Sequence, residues 1–552
     1  MSTAFSVSKT VAAASDYEPL SSKVDHTRYG EDVEIRAYDM TDDMVRALSE
    51  AAGKVGNRSV ARIADAILAA REGKFDSSIP NLHAAPEMFL AYFRANLQDG
   101  WVYKRGADGH LHAWLVTDVQ IRESRGSDAP PYLAIDLTAN GSTGRGRGGA
   151  LGLATTTVHL ERAEVTRKKI SDILTNEGIY VETPELRADY DVALEKYSET
   201  LRTGFSEQFR FKGTAFSTDD YRAENERHTK VIHDLARGAF KAPAEMTDSV
   251  LFVPISEDGK SSKRRKKGAP EGEGLGPVPV HFLVRVFDLA VHDFLWVNSR
   301  DLERYVYDKT LAEKIVLPED QRNLLDILTT DLDDFTSDII EGKSIGNVVL
   351  CKGKPGVGKT LTAEVYAELI ERPLYSIHSG NLGVEADAIR KNLETVFQRA
   401  KRWNVVLLLD EADVFVLERG DNIEQNAIVA EFLRTLEYFD GLMFMTTNRG
   451  QGIDDAILSR AAAIIDYGIP SIEAIREIWK VQMANQGYRA DKATLDMVVG
   501  GFAEITGRDV KMLLRLCLRV ANKRNGGKIN EEIVTSCATF RGLHFKPGSR
   551  VA

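Results

Sequence analysis

The chain has 552 residues, a formal net charge of −11 at pH 7, and 43% hydrophobic and 28% charged residues. This composition is that of a soluble globular protein, and its length predicts about three or four domains at roughly 150 residues each. The acidic charge counts against a broad nucleic-acid footprint. Apolar runs such as 405–409 are far shorter than the roughly 20 residues of a membrane span, and the first residues lack a secretory pattern, so we expect an intracellular protein without a membrane span.

The three cysteines are Cys351, Cys517 and Cys537. They are few, odd in number and without a ligand-like spacing, which suits a reducing compartment. We expect all three to be small core residues.

The N-terminal part divides into a predicted mobile tail, residues 1–35, and a predicted α+β region of one or two domains, residues 36–295. Helical patterns occupy 39–75, 86–97 and about 158–207, and a hairpin of 101–103 with 112–116 surrounds the turn at 106–109. Further strands are predicted at 131–137, 249–254 and 280–287. No catalytic triad, metal-ligand cluster or second phosphate loop occurs in the sequence of residues 1–300, so the role of this region stays open.

Two basic segments interrupt this region, one around Arg145 and Arg147 and the other at Lys263–Lys267. We interpret both as solvated loops, because the first has no aromatic residues for base stacking and the second lies beside a Gly/Pro/Glu-rich stretch. The alternative is binding to nucleic acid or an anionic surface, and the second segment would be a nuclear address in a eukaryotic host.

From about residue 300 the chain alternates helices with five short, apolar strands. These strands are at 347–352, 374–378, 405–410, 442–447 and 463–467. Strands separated by helices predict a parallel sheet that is covered on both faces. We therefore predict an α/β domain over 300–470 and a small helical lid over 471–545.

The stretch from Gly353 to Thr360, GKPGVGKT, fits the pattern G-x-x-x-x-G-K-[ST], follows an apolar strand and opens a helix. Its glycines let backbone N–H groups surround phosphates at the helix N-terminus. Lys359 is expected to reach the β- and γ-phosphates, and the Thr360 hydroxyl to ligate magnesium. The alternative, a glycine-rich turn without a ligand, does not explain this context.

Two carboxylates, Asp410 and Glu411, end the third apolar strand. They would be costly if buried unpaired, but the carboxyl ends of parallel strands face the ligand crevice. Asp410 suits the magnesium shell, and Glu411 suits a general base that acts on the attacking water. The alternative is a strand end with ordinary solvated acids.

Three more side chains complete the predicted site. Asn448 ends the next strand and could orient the attacking water, although an Asn there is often a turn former. Arg460 could act in a neighbouring subunit's site, and Arg508, at the start of a lid helix, could contact the γ-phosphate. Surface arginines are common, so the alternative for each arginine is an ordinary solvated side chain.

Residues 300–545 resemble the AAA module of the AAA+ superfamily. The phrases GKPGVGKTLTAE, RPLYSIHSGNLG, WNVVLLLDEADVF, FLRTLEYFDGLMFMTTN and ILSR carry the resemblance. It covers under half of the chain. It is strongest to a poorly characterised group of AAA-domain ATPases of fungi, bacteria and phages.

The resemblance implies a five-stranded parallel sheet of order 5-1-4-3-2, a helical lid, a homo-oligomeric, usually hexameric ring, and magnesium-dependent ATP hydrolysis. Lys359 and Thr360 then belong to Walker A, and Asp410 and Glu411 to Walker B. Asn448 is sensor 1, Arg460 the arginine finger and Arg508 sensor 2. The residues expected to hold the nucleotide are Gly353, Pro355, Gly356, Val357, Gly358, Lys359, Thr360, Leu361 and Asp410.

One segment departs from the protein-unfolding members of this family. The stretch 379–386, where they place an aromatic pore residue, has none here, and Leu382 and Val384 are its large apolar side chains. Trp403 and Phe415 are expected in the core. The leading hypothesis is an ATPase that remodels a protein client. The alternatives are a nucleic-acid motor or loader, and an ATP-gated assembly scaffold with slow turnover.

Overall fold

The computed structural model describes residues 3–25, 32–36, 40–123, 130–142, 152–204, 206–217, 223–234, 279–330, 347–383 and 385–547. The chain divides into two compact units, one of residues 1–205 and 209–303, the other of residues 206–208 and 304–552. In the described ranges no helix combines the length and the apolar character that crossing a membrane requires.

The start of the N-terminal unit differs from the predicted mobile tail. Strand β1 (Thr3–Val7) pairs antiparallel with β2 (Val33–Arg36). Val7, Val11 and Leu20 are buried in the core of this unit. These apolar side chains are removed from water together, which outweighs the entropy of a free tail.

Helices dominate the first part of this unit. Two of its longer helices, 42–55 and 58–71, have polar N-cap residues. The Thr41 hydroxyl accepts a hydrogen bond from Met44 N, and the Asn57 amide oxygen accepts one from Val60 N. The helices of the unit are α1 (Lys9–Ala13), α2 (Glu18–Ser21), α3 (Asp42–Val55), α4 (Arg58–Arg71), α5 (Ala85–Asn96), α6 (Arg162–Val165), α7 (Ile170–Asn176) and α8 (Pro184–Thr203).

Two five-stranded sheets complete the same unit. Their strands are β3 (Trp101–Arg105), β4 (Leu111–Arg122), β5 (Tyr132–Ser142), β6 (Gly152–Leu160), β7 (Ile179–Val181), β8 (Gln208–Ser217), β9 (Ala223–His233), β10 (Leu283–Asp288), β11 (Asp293–Asn298) and β12 (Leu302–Arg304). The strand orders are β6-β5-β4-β3-β7 and β11-β10-β9-β8-β12. The predicted hairpin is confirmed by the antiparallel pairing of β3 with β4, in which Trp101 lies opposite Leu115. The basic segments at 145–147 and 263–267 and the strand predicted at 249–254 lie outside the described residues.

The C-terminal unit is built on a parallel sheet of five strands, as predicted. Its strands are β13 (Asn347–Gly353), β14 (Leu374–His378), β15 (Val406–Asp410), β16 (Leu442–Thr447) and β17 (Ala463–Tyr467). They are hydrogen-bonded in the order β14-β15-β16-β13-β17, all in parallel. Because the strands are parallel, all five carboxyl ends lie at one edge of the sheet. The central strands are almost wholly buried, as expected for a sheet that is covered on both faces.

Six helices of the described residues precede or connect the strands of this sheet in the chain. They are α9 (Glu319–Thr330), α10 (Lys359–Leu369), α11 (Ala386–Trp403), α12 (Asp413–Val416), α13 (Ile423–Leu436) and α14 (Asp455–Arg460). Tyr366 on α10 packs in the same core as Val349 of β13 and Phe444 of β16. Cys351 is buried there too, in agreement with its predicted core role.

Four helices follow the sheet: α15 (Ile472–Asn485), α16 (Lys492–Gly500), α17 (Gly507–Arg524) and α18 (Glu531–Phe540). They enclose a separate core around Trp479, Leu513 and Leu514, to which Cys517 and Cys537 also contribute. Helix α17 begins at a capping box in which the Thr506 hydroxyl and the Asp509 carboxylate each accept a backbone N–H of the other.

Candidate active site

The loop between β13 and α10 has a backbone that requires glycine. Gly353, Gly356 and Gly358 have φ values of 147°, 83° and 115°, a region that L side chains rarely adopt. A Cβ on Gly353 would also lie 2.4 Å from the carbonyl oxygen of Tyr467 on β17. The loop therefore turns back over the carboxyl edge of the sheet and delivers Lys359 and Thr360 to the first turn of α10.

Lys359 is buried, and its ammonium group has three acceptors. Its Nζ donates to the carbonyl oxygens of Gly353 at 2.7 Å and Lys354 at 2.9 Å, and to Asn448 Oδ1 at 3.0 Å. Burial lowers the pKa of this amine, and the carboxylates of Asp413 and Asp410 oppose that effect. The structure thus brings the predicted lysine and the predicted sensor amide into direct contact.

Asp410 ends β15 beside Thr360. Its Oδ1 accepts a hydrogen bond from the Thr360 hydroxyl at 3.0 Å and another from the Thr446 hydroxyl on the neighbouring strand. A carboxylate and a hydroxyl at this separation are hard oxygen donors of the kind that Mg²⁺ prefers. The two residues predicted as metal ligands are therefore adjacent.

Glu411 is exposed at the turn that follows β15. Its φ of 54° lies in the left-handed region, an uncommon state for a residue with a side chain. The turn is held because the backbone N–H groups of Glu411 and Ala412 donate to the hydroxyl and the carbonyl oxygen of Thr446, at 3.0 Å and 2.8 Å. The carboxylate thus extends into solvent from a fixed backbone, where a water could reach it.

Asn448 follows β16 and is fixed by a residue that the sequence analysis missed. Its backbone N donates to Asp413 Oδ1 at 3.0 Å, and the Thr447 hydroxyl donates to the same oxygen. Asp413, Thr446 and Thr447 thus belong to the site. One signal could have found them, because β15 and β16 are neighbours and polar residues at their carboxyl ends must meet.

The four C-terminal helices, which lie in the region predicted as a lid, touch the loop at Arg508. Its backbone N donates to the carbonyl oxygen of Gly356 at 3.1 Å, and its side chain is exposed. The positive charge of Arg508 is near enough to lower the pKa of Lys359. Of the other residues predicted to hold nucleotide, Val357 packs partly against the core, whereas Pro355 and Leu361 are exposed.

Comparisons with known proteins agree with this geometry. Residues 349–469 match the family described as "ATPase family associated with various cellular activities (AAA)". The chain is similar to the "Uncharacterized AAA family ATPase y4kL" of Sinorhizobium fredii, with 30% identity over 176 residues that cover 30% of this chain and 52% of that protein. It is also similar to the "ATP-dependent zinc metalloprotease FtsH" of Leuconostoc mesenteroides, with 27% identity over 206 residues that cover 34% of this chain and 29% of FtsH. Residues 349–469 are therefore a domain of the AAA ATPase family.

These AAA+ relatives are matched over only part of their length, since the chain spans about half of one and under a third of the other. A chain of the solved E. coli MS115-1 HORMA:CdnC:Trip13 complex is similar at 18% identity with a TM-score of 0.34. That match covers 43% of this chain and 91% of the other. The AAA ATPase domain of the C-terminal unit rests on the family match over residues 349–469.

Arg460 is placed apart from the contacts around Lys359 in this AAA+ domain. It ends α14, where its guanidinium donates to the Ala456 carbonyl oxygen at 3.2 Å and forms a salt bridge with Glu437. Both partners, like Arg460 itself, precede β17 in the chain. The structure therefore does not bring Arg460 to the loop of the same chain.

The segment that would form a pore loop is compact where it is described. Residues Ser379–Leu382 form a turn of 3₁₀ helix, and the Leu382 side chain is 1% exposed. Val384 lies outside the described residues. Trp403 and Phe415 are both buried, which confirms the prediction that they are core residues.

Proposed function

We propose that the chain binds ATP and hydrolyses it with magnesium at the carboxyl edge of the parallel sheet. One observation carries the proposal: Lys359 and Thr360, in the first turn of α10, each form a hydrogen bond of 3.0 Å, Lys359 with Asn448 after β16 and Thr360 with Asp410 at the end of β15. Residues 89 positions apart in sequence meet in this cluster. A glycine-rich turn without a ligand would not need such a convergence of charge and polar groups.

ATP would be held mainly by the loop and by Lys359. The positive-φ glycines turn backbone N–H groups toward the phosphates, and the first turn of α10 adds its partial positive charge. In the free chain Lys359 is bound to loop carbonyls and to Asn448. Binding would exchange these acceptors for phosphate oxygens, which form stronger, charge-assisted hydrogen bonds.

The residues present fit a magnesium ion. Thr360 and Asp410 would hold it, directly or through water, with phosphate oxygens completing the shell. Such a site needs few protein ligands, which is compatible with the lack of any cluster of three or more His, Cys, Asp or Glu ligands in the described ranges. When bound, the ion neutralises charge that develops on the phosphates.

Hydrolysis would use three further groups. The exposed Glu411 carboxylate takes a proton from the attacking water, and the Asn448 amide orients that water. Arg508, at the start of α17, reaches the γ-phosphate of the same nucleotide. This division of roles is supported by the hydrogen bonds that fix the backbones of Glu411 and Asn448, because a general base and the group that orients its water must keep a fixed relative position.

Arg460 would serve a neighbouring subunit in a homo-oligomeric ring, most simply a hexamer. Its position away from Lys359 of its own chain supports action in trans, and a salt bridge to Glu437 occupies it in the isolated chain. Assembly would exchange Glu437 for the phosphates of the adjacent site. Arginine fingers supplied across an interface typically raise turnover by about 10³–10⁵-fold.

The energy of ATP would remodel a protein client that the N-terminal unit recognises. Supporting this, two five-stranded sheets are joined in one chain to an ATPase domain. The ATP dependence in the name of FtsH points in the same direction, whereas its protease activity is not carried over, since the match covers 29% of that protein. The buried Leu382 and the lack of an aromatic residue at 379–386 disfavour threading of a polypeptide.

The decisive experiment uses Glu411→Gln in the full chain. This variant is expected to bind ATP with near wild-type affinity and to lose turnover by at least about 100-fold, because the phosphate cradle survives without its base. The ATP-locked protein should retain its client in a pull-down. Unchanged hydrolysis by this variant would refute the assignment of Glu411.

Stimulation of wild-type turnover separates the alternatives. Faster turnover with an unfolded or assembled protein supports remodelling. Stimulation by DNA or RNA alone would instead establish a nucleic-acid motor or loader, and its affinity should then fall steeply with salt. Slow turnover that no addition changes would favour an ATP-gated scaffold.

A further inference from the structure

Asp413 is a carboxylate in the site that the roles described above do not use. It is the first residue of α12, three positions after Asp410, and it is partly buried. One oxygen, Oδ1, accepts hydrogen bonds from the Thr447 hydroxyl and from Asn448 N, the latter at 3.0 Å. Both donors belong to the end of the adjacent strand, β16.

The contacts of Asp413 are not those of a helix cap. The residue that precedes α12, Ala412, cannot cap it by a side chain, and the Asp413 oxygen is bound across to β16. The Thr447 hydroxyl also accepts the backbone N–H of Arg449 at 3.1 Å. A chain of hydrogen bonds thus runs from Asp413 through Thr447 and closes the bend over residues 447–449.

This bend contains Asn448, whose side chain contacts Lys359. Asn448 Oδ1 lies 3.0 Å from Lys359 Nζ, while the backbone of the same residue is bound to Asp413. Asn448 is itself exposed, so packing does little to define its position. The hydrogen bonds to Asp413 are therefore its main restraint on this side.

We propose that Asp413 is a positioning residue for hydrolysis, which holds the Asn448 amide over the γ-phosphate through Thr447 and the Asn448 backbone. The inference rests on the proposed ATP hydrolysis at this site. Asp413 itself touches neither the phosphates nor the water. A charge-assisted hydrogen bond is shorter and stronger than a neutral one, which suits a carboxylate for this task.

The test is a double-mutant cycle in the full chain, with steady-state ATP turnover as the readout. Asp413→Ala is expected to lower kcat about 10- to 100-fold, the typical cost of a misplaced catalytic group, and to leave KM for ATP within about threefold. Asn448→Ala should have a similar effect. If Asp413 acts through Asn448, the double variant will be no slower than Asn448→Ala alone.

Conservative variants and a matched control separate positioning from folding. Asp413→Asn keeps an oxygen that can accept both hydrogen bonds, so it should recover most of the turnover that Asp413→Ala loses. Thr447→Val removes one of the two donors and should lower kcat several-fold, and it serves in the same cycle should Asp413→Ala not fold. Asp491→Ala removes a capping carboxylate from α16, in the lid, and is expected to turn over ATP normally.

Three results would overturn the inference. The first is multiplicative losses in the double variant, and the second is no rescue by Asp413→Asn. The third is a fall in ATP affinity and thermal stability that accounts for the whole loss of kcat. Failure of wild-type protein to hydrolyse ATP would be distinct from all of these, since it removes the proposed function on which the inference rests.

Discussion

Gly356→Ala tests whether the loop and the lid form one site. Gly356 has a φ of 83°, and a Cβ there would lie 2.8 Å from the Arg508 Cβ and 3.0 Å from the Thr506 hydroxyl. The left-handed backbone costs a residue with a side chain about 1–2 kcal/mol. The collision would also displace the start of α17 and break the Arg508 N–H hydrogen bond to Gly356 O, which contributes about 0.5–1.5 kcal/mol.

These costs should appear mainly as lost nucleotide affinity. The free protein can relax its loop and let the lid move away, whereas a bound nucleotide requires the loop to keep its shape. The sum, about 1.5–3.5 kcal/mol, corresponds to a Kd for ATP roughly 10- to 400-fold higher. We expect this from equilibrium titration with a fluorescent ATP analogue in magnesium.

A matched glycine isolates the contact with the lid. Gly526 has a φ of 56° within the lid, and an added Cβ there would meet no atom within 4 Å. Gly526→Ala therefore introduces the strain without the collision, so it should lower the thermal midpoint slightly and leave the Kd for ATP unchanged. A folded Gly356→Ala protein that binds ATP as tightly as the wild type would refute the coupling of loop and lid.

Two further predictions concern Arg460 and His110. Arg460→Ala should bind ATP but fail to turn it over, and mixing it with Lys359→Ala subunits should restore some turnover; no rescue in properly mixed rings would contradict action in trans. In the N-terminal unit, His110 Nε2 lies 2.7 Å from Asp301 Oδ1, and this hydrogen bond raises the pKa of the histidine. Its contribution to stability is full below the unfolded pKa of about 6.5 and is lost as pH rises through the higher folded pKa, so His110→Gln should lower the thermal midpoint more at pH 5.5 than at pH 8.5. An equal effect at both values would contradict this.

The elements that sequence predicts well are those whose cause is local. An apolar strand, a glycine loop and a helix follow one another from 347 to 369, so spacing alone defines the turn that holds Lys359. The carboxylates of Asp410 and Glu411, at the end of β15, can also be predicted from sequence, because a buried strand can end in charge only at an edge that reaches solvent or a ligand.

The features that could not be predicted from the sequence depend on contacts between distant segments. Thr446 and Thr447 have an ordinary β propensity, and their role arises because β16 lies beside β15 in the sheet. The start of the chain differs from the predicted tail for a similar reason, since β1 is defined by its pairing with β2, in which Val7 lies opposite Val33. The predicted helical stretch from 158 likewise begins in strand β6, where Val158 lies opposite Ile135 of β5.

The hydrogen bonds of the site link three elements that would otherwise move independently. The loop carbonyls accept from Lys359 and, at Gly356, from Arg508 of the lid, while Asn448 joins the same lysine to the end of β16. A phosphate that attracts Lys359 must therefore release Asn448 and alter the loop against which the lid rests. Because Asp413 accepts a hydrogen bond from the Asn448 backbone, the proposed function has the amide stay in place when the lysine leaves it, so that the amide could then orient a water. In the proposed function, Lys359 would thus exchange Asn448 for the nucleotide, and the Asn448 amide would become available to the attacking water as a consequence.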